Sequence, residues 1–185
     1  MARVPLLDDE TNPELAELIG TLRAGRRGTL INVYQLLLHS PALAESWFRH
    51  SNAVRWKTDL DGRLRELMII RVASILGADY IVNQHIPELT TPEGITEAEL
   101  ADLSHWRMAP CFSESERAAL AYAETMTRDV DVPDAVFNAL KRHFNERQIV
   151  ELTVLIGSYN MNARVLKALE IDPQTLSVNA VHGSE

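Results

Sequence analysis

Residues 62–89 read GRLRELMIIRVASILGADYIVNQHIPEL, and this stretch decides the fold. Leu64, Leu67, Met68, Ile70, Val72, Ile75 and Leu76 are too dense to sit on one narrow face, so the first half reads as a largely buried helix. Asp61 is a suitable N-cap, and Gly77 can end the helix at positive φ. A second helical segment follows, with Asp79 near its start and Tyr80, Ile81 and His85 along it. Two consecutive helices can fold Glu66 and His85, nineteen positions apart, toward each other.

A carboxylate on a buried helix needs a partner or a proton, because an isolated buried charge is costly. Two arrangements satisfy Glu66. In the plainer one it pairs with a nearby arginine and His85 fills a polar gap. In the other, the two side chains form a proton-transfer pair.

The order R-E-L, apolar helix, G-A-x-Y and a histidine four residues past Ile81 resembles the carboxymuconolactone decarboxylase family, which includes the alkylhydroperoxidase D-like proteins. The similarity runs from about 60 to 164 and includes GITEAEL, SESERAALAYA and ELTVLIGSYNMNAR. It implies an all-α, single-domain helical bundle over 1–185, with a family-like core at about 60–164 and an N-terminal helical extension at 12–58. It further implies homotrimers or homohexamers. The nearly all-round apolar helix at 64–76 points the same way, as more buried surface than one subunit of this size needs.

Two departures from the family pattern bear on chemistry. The peroxidase branch resembles C-x-x-C followed by histidine, and here those positions are Ala78 and Ile81. A dithiol relay needs an attacking thiolate and a resolving thiol, so that chemistry is expected to be absent. The decarboxylase branch commonly reads Y-E-W-x-x-H, whereas Tyr80 is followed by Ile81 and Val82, which removes one acid or base.

The remaining composition agrees with a helical domain. The 185 residues suffice for one core, with 46% apolar residues and only eight glycines and eight prolines. A net charge of −8 argues against a general nucleic-acid or anionic-membrane binder. No signal-peptide core opens the chain, and Arg71 interrupts its most apolar helix, so no membrane span is expected. The single cysteine, Cys111 beside Pro110, fits a reducing, cytoplasmic setting and reads as incidental rather than reactive.

Elsewhere, residues 1–12 read as an extended arm. Asn12-Pro13 and Ser40-Pro41 each give a cap followed by proline at the first helical position. The arginine-rich turn 23–28 reads as a solvated loop. Tyr34, Trp47, Phe48 and Trp56 read as core rather than cavity lining. Pro87 must kink or restart the helix after His85. Thr96–Glu99 and Ser113–Glu116 are capping boxes, a helix from Val132-Pro133-Asp134 ends near His143, and Asn145 caps a last long helix reaching Leu169. Gly157 within that helix reads as a point of close helix approach. The tail from Asp172 onward is polar and is expected to fray.

The six histidines are scattered, with no H-x-x-x-H or C-x-x-C pair, so no metal or cofactor is expected. The candidate catalytic residues are His85, as acid, and Glu66, as its orienting group or a base of raised pKa. Tyr80, Asn160 and Arg164 are the candidate substrate contacts, with Arg164 on a substrate carboxylate or else paired with Glu151 or Glu170. The expected substrate is a small oxygenated anion such as a lactone or keto acid. The alternative is a ligand-binding or structural oligomer that keeps the fold without the reaction.

Overall fold

The computed structural model describes residues 2–26 and 28–172, with Pro87 and Glu88 described in their backbone only. Nine α-helices and no strand occur among the described residues: α1 Ala16–Ala24, α2 Asn32–Leu37, α3 Pro41–Trp56, α4 Gly62–Leu76, α5 Asp79–His85, α6 Glu97–Asp102, α7 Glu114–Arg128, α8 Asp134–Lys141 and α9 Glu146–Ala168. The described residues form a single all-helical domain.

The bundle is built around α4. The Asp61 carboxylate accepts from the backbone N–H groups of Arg63 and Leu64, at 2.9 and 3.2 Å. Every residue from Leu64 to Ala73 is then buried, packed chiefly against α9 and α7 with α5 folded back alongside. Leu67, Met68, Ile69 and Val72 are essentially inaccessible, each contributing roughly 1.5–3 kcal/mol by burial. From Leu64 to Ala73 this burial is complete within one chain. The apolar character of α4 up to Ala73 is therefore explained by α5, α7 and α9, while Ile75 and Leu76 in its last turn are only partly buried.

The two arginines inside α4 are neutralised locally. Arg71 pairs with Glu124 of α7 at 2.9 Å, and the Trp106 indole N–H donates to the same oxygen at 3.0 Å. Burial would raise the Glu124 carboxyl, but Trp106 and Arg71 hold it at about 2.

Gly77 ends α4 in the left-handed region, φ 59°, where a side chain would be strained. The Lys167 ammonium of α9 crosses to this corner and donates to the Leu76 and Gly77 carbonyls, at 2.9 and 3.0 Å. After α5 the chain winds more loosely, as a π-type turn over Ile86–Thr90, where Pro87 withholds its hydrogen bond.

Capping boxes start α6, α7 and α9, from Thr96, Ser113 and Asn145. The proline-led starts differ. Asn12 and Ser40 make no side-chain cap bond, and the Asn12 amide instead donates to Asp8 O and Thr11 Oγ1. The arginine-rich turn is not merely solvated. Arg23 pairs with Asp9, and Arg26 reaches inward to Asn52 and Tyr34. Gly25 permits this close approach, since a Cβ there would lie 2.2 Å from Phe48 Cζ.

Gly157 is not such a point. A Cβ there would meet Met126 Cε at 3.6 Å, an ordinary contact. Of the four aromatics, Tyr34 is core and Trp47 and Phe48 are half-buried, while Trp56 is 52% exposed. The frayed tail expected after Asp172 lies outside the described residues. Among those described, no helix is long and apolar enough to cross a membrane.

Candidate functional site

The fold of α5 back onto α4 brings Glu66 and His85 into direct contact. His85 Nδ1 lies 2.6 Å from Glu66 Oε2, with the carboxylate 0% and the histidine 6% exposed. Arg65 Nε donates to the other carboxylate oxygen at 3.2 Å, and Arg65 Nη2 continues to Glu93 at 2.7 Å. Glu66 thus has both an arginine partner and a histidine partner.

The far side of the imidazole carries a residue that sequence reasoning missed. The Tyr159 hydroxyl of α9 lies 3.3 Å from His85 Nε2, and the two rings pack edge to face with centroids 5.5 Å apart. A signal for Tyr159 was present in α9. Ile149, Leu152, Leu155, Ile156, Ser158, Tyr159, Ala163 and Leu166 form its buried stripe, and Tyr159 is its aromatic member.

The charge states follow from the surroundings. Burial pushes the Glu66 carboxyl up, but the bond from His85 and the nearby Arg55 and Arg65 charges outweigh it and hold the group below its usual 4.5. Burial lowers the His85 pKa below its usual 6.5, and Arg55 and Arg65 add to that, against the pull of Glu66. At neutral pH the pair is therefore an ionised carboxylate and a neutral imidazole. Nδ1–H donates to Glu66, leaving Nε2 as an acceptor for the Tyr159 hydroxyl. Tyr159 keeps its proton because burial raises its pKa to about 12. The resting imidazole is hence neutral, with a lone pair at Nε2.

The other expected contacts fall in different places. Tyr80 is buried, 7% exposed, and its hydroxyl finds no acceptor for its proton. Asn160 donates to Thr127 Oγ1 at 3.0 Å and accepts from Arg164 at 2.7 Å. Arg164 pairs with neither Glu151, which is held by Arg147, nor Glu170, which is held by Arg3. Among the described residues no hydrogen bond or ion pair links Asn160 or Arg164 to Glu66 or His85.

Ala78 and Ile81, at the corner of α4 and α5, are both buried. Cys111 is exposed and alone. Desolvation and the Asp102 carboxylate raise its pKa, so the thiolate is disfavoured. A groove of about 470 Å³ runs between the N-terminal arm and Asn32 and Asp172, sharing no residue with this centre. No cluster of three metal-ligating side chains exists among the described residues.

Comparison with known proteins agrees with the fold. The model of the Carboxymuconolactone decarboxylase family matches residues 41–125, which include Glu66 and His85 but not Tyr159. The uncharacterised protein YnjA of Escherichia coli K12 is 34% identical over 123 residues, 66% of this chain and 67% of its own length. A crystal structure of a protein of unknown function from Agrobacterium tumefaciens superposes with a TM-score of 0.70 at 27% identity, over 76% of this chain and 96% of that one. An uncharacterised peroxidase-related protein from Silicibacter gives a TM-score of 0.79 at 22% identity, over 94% and 92% of the two chains.

Proposed function

The chain belongs to the carboxymuconolactone decarboxylase family, and on that premise we propose that it is an acid–base enzyme acting on a small oxygenated anion, a lactone or keto acid. The observation that carries this reading is the buried line Glu66–His85–Tyr159, with its 2.6 and 3.3 Å separations. The carboxylate fixes one imidazole tautomer and stabilises the imidazolium that forms when Nε2 takes a proton. In a decarboxylation the bond to the departing CO2 breaks and its electron pair settles on the neighbouring carbonyl oxygen. One proton, taken from solvent at Nε2, is then delivered to carbon. Tyr159 aligns Nε2 and can pass the proton.

Thiol-based peroxide reduction, suggested by the name of the Silicibacter neighbour, fits poorly. Ala78 and Ile81 supply no sulfur, and Cys111 has no second thiol to resolve a sulfenic acid. A homotrimer or homohexamer in the cytoplasm is part of the proposal. In place of α4, its support is the exposed line Val150, Val154 and Met161 on α9, spaced for one helix face, and sedimentation as a monomer at micromolar concentration would overturn it.

The test is solvent-proton incorporation and CO2 release across small lactones and keto acids. The native protein should act on at least one, and His85→Gln should lose about 10²–10⁴ in rate with its thermal unfolding little changed. Equal specific activity in His85→Gln would sink the acid–base reading and leave the non-catalytic binder standing.

A further inference from the structure

Two cations in this region have no carboxylate partner among the described residues. Arg26, in the turn after α1, donates to Asn52 Oδ1 at 2.7 Å and to the Tyr34 hydroxyl at 2.9 Å. Its guanidinium lies 5.4 Å from the Tyr34 ring centroid and 5.1 Å from that of Phe48. Arg55 stacks on Trp56 at 4.5 Å, and its Nε is buried without a hydrogen-bond partner. Phe48, Asn52 and Arg55 recur at helical spacing, so they line one face of α3.

That face adjoins the proton-transfer line. The Trp56 ring that carries Arg55 also carries Arg65, at 5.0 Å, and Arg65 is the residue bonded to Glu66. The charge of Arg55 acts on Glu66, His85 and Tyr159, and that of Arg26 on Tyr159. The buried Tyr80 hydroxyl lies against the Val33 backbone, with no acceptor for its own proton, and close enough to Tyr34 to feel it electrostatically. Two guanidinium groups with no carboxylate paired to them and two buried donors without acceptors are an unfavourable combination in a protein that binds nothing there. A bound oxyanion relieves both defects.

We propose that Arg26 and Arg55 form the anion-binding subsite of this centre, holding the carboxylate of a small organic acid, with the Tyr80 hydroxyl as an additional donor. The proposal rests on the acid–base reading above and assigns its substrate anion to Arg26 and Arg55 instead of Arg164. Guanidinium forks match a planar carboxylate, and the rings of Tyr34, Phe48 and Trp56 give the carbon skeleton apolar walls. Held there, the anion offsets positive charge that opposes protonation of His85, so binding readies the imidazole to receive a proton.

The experiment titrates benzoate, its neutral analogue benzamide and inorganic phosphate into the native protein and into Arg26→Gln, Arg55→Gln and Arg164→Gln. Binding is read by calorimetry and the His85 pKa by NMR. Benzoate should bind the native protein and raise the His85 pKa, while benzamide should not bind. Arg26→Gln and Arg55→Gln should each weaken benzoate about tenfold to a hundredfold, with Arg164→Gln unchanged. If Arg55→Gln fails to fold, Arg55→Lys decides, because it keeps the charge and loses the fork. Equal benzoate affinity in the native protein and the Arg26 and Arg55 variants overturns the subsite. So does tighter binding of phosphate than of benzoate, or no benzoate binding up to roughly ten times a 1 mM Kd. Binding does not require turnover. A fully active His85→Gln would therefore overturn the acid–base reading and leave this result standing.

Discussion

His85 lies between two oxygens of opposite character, the Glu66 carboxylate at 2.6 Å on Nδ1 and the Tyr159 hydroxyl at 3.3 Å on Nε2. The first can only accept a proton, and the second is best placed to donate one. The imidazole is thereby restricted to a single tautomer, and each neighbour can be tested by removing one function at a time.

Glu66→Gln keeps the volume and removes the charge. Turnover should fall about as far as in His85→Gln, since no anion remains to stabilise an imidazolium. Stability should fall by about 1–3 kcal/mol, as a buried charged hydrogen bond is lost while Arg65 keeps Glu93. Rates and denaturant unfolding on the same samples check this, and native rates in the variant would refute it.

Tyr159→Phe keeps the edge-to-face packing and deletes the hydroxyl. Stability should change by no more than about 1.5 kcal/mol, the net worth of one hydrogen bond. The pH–rate profile should shift and kcat should fall more than KM changes. A profile that superposes on the native one would mean Tyr159 only packs.

The stability of the fold should decline on acidification from about neutrality. His85 has a folded pKa below its unfolded 6.5, so the unfolded chain binds more protons and stability is lost as pH falls below 6.5. Glu66 has a folded pKa below 4.5, so its contribution is present above 4.5 and lost as pH falls through the lower folded value. Urea midpoints between pH 8 and 4 would check the His85 part, and His85→Gln should flatten the curve as pH falls below 6.5. A native curve that stays flat as pH falls below 6.5 would contradict it.

How much of this was legible before the structure differs from residue to residue. The Asp61 cap, the Gly77 corner and the boxes at Thr96, Ser113 and Asn145 are read from neighbours within four positions, because helix ends are satisfied locally. The Glu66–His85 contact was foreseeable because only one corner separates the two helices. Tyr159, Arg26 and Arg55 act across long sequence separations, and local patterning does not record which distant helix they face. Asn160, a candidate substrate contact one turn from Arg164, stands one step off the buried stripe that Tyr159 occupies. Arg26 looked like part of a charged turn because the sequence cannot reveal that Gly25 lets that turn settle against Phe48.

Cys111→Ser should leave hydroperoxide consumption unchanged with a dithiol reductant present, because the lone exposed thiol has a raised pKa and no resolving partner. A rate above background that disappears in the variant would restore the thiol reading.

The bonds from Lys167 to the Leu76 and Gly77 carbonyls have a thermal consequence. Lys167 belongs to the last turn of α9, the part of a helix that frays first. The same helix positions Tyr159 two turns earlier, so one rod serves as a jig for both the corner and the hydroxyl. Warming that loosens only the end of the rod releases the corner while the packed centre stays intact. Activity should therefore fade at a lower temperature than helical content, with Lys167→Met widening the interval between the two.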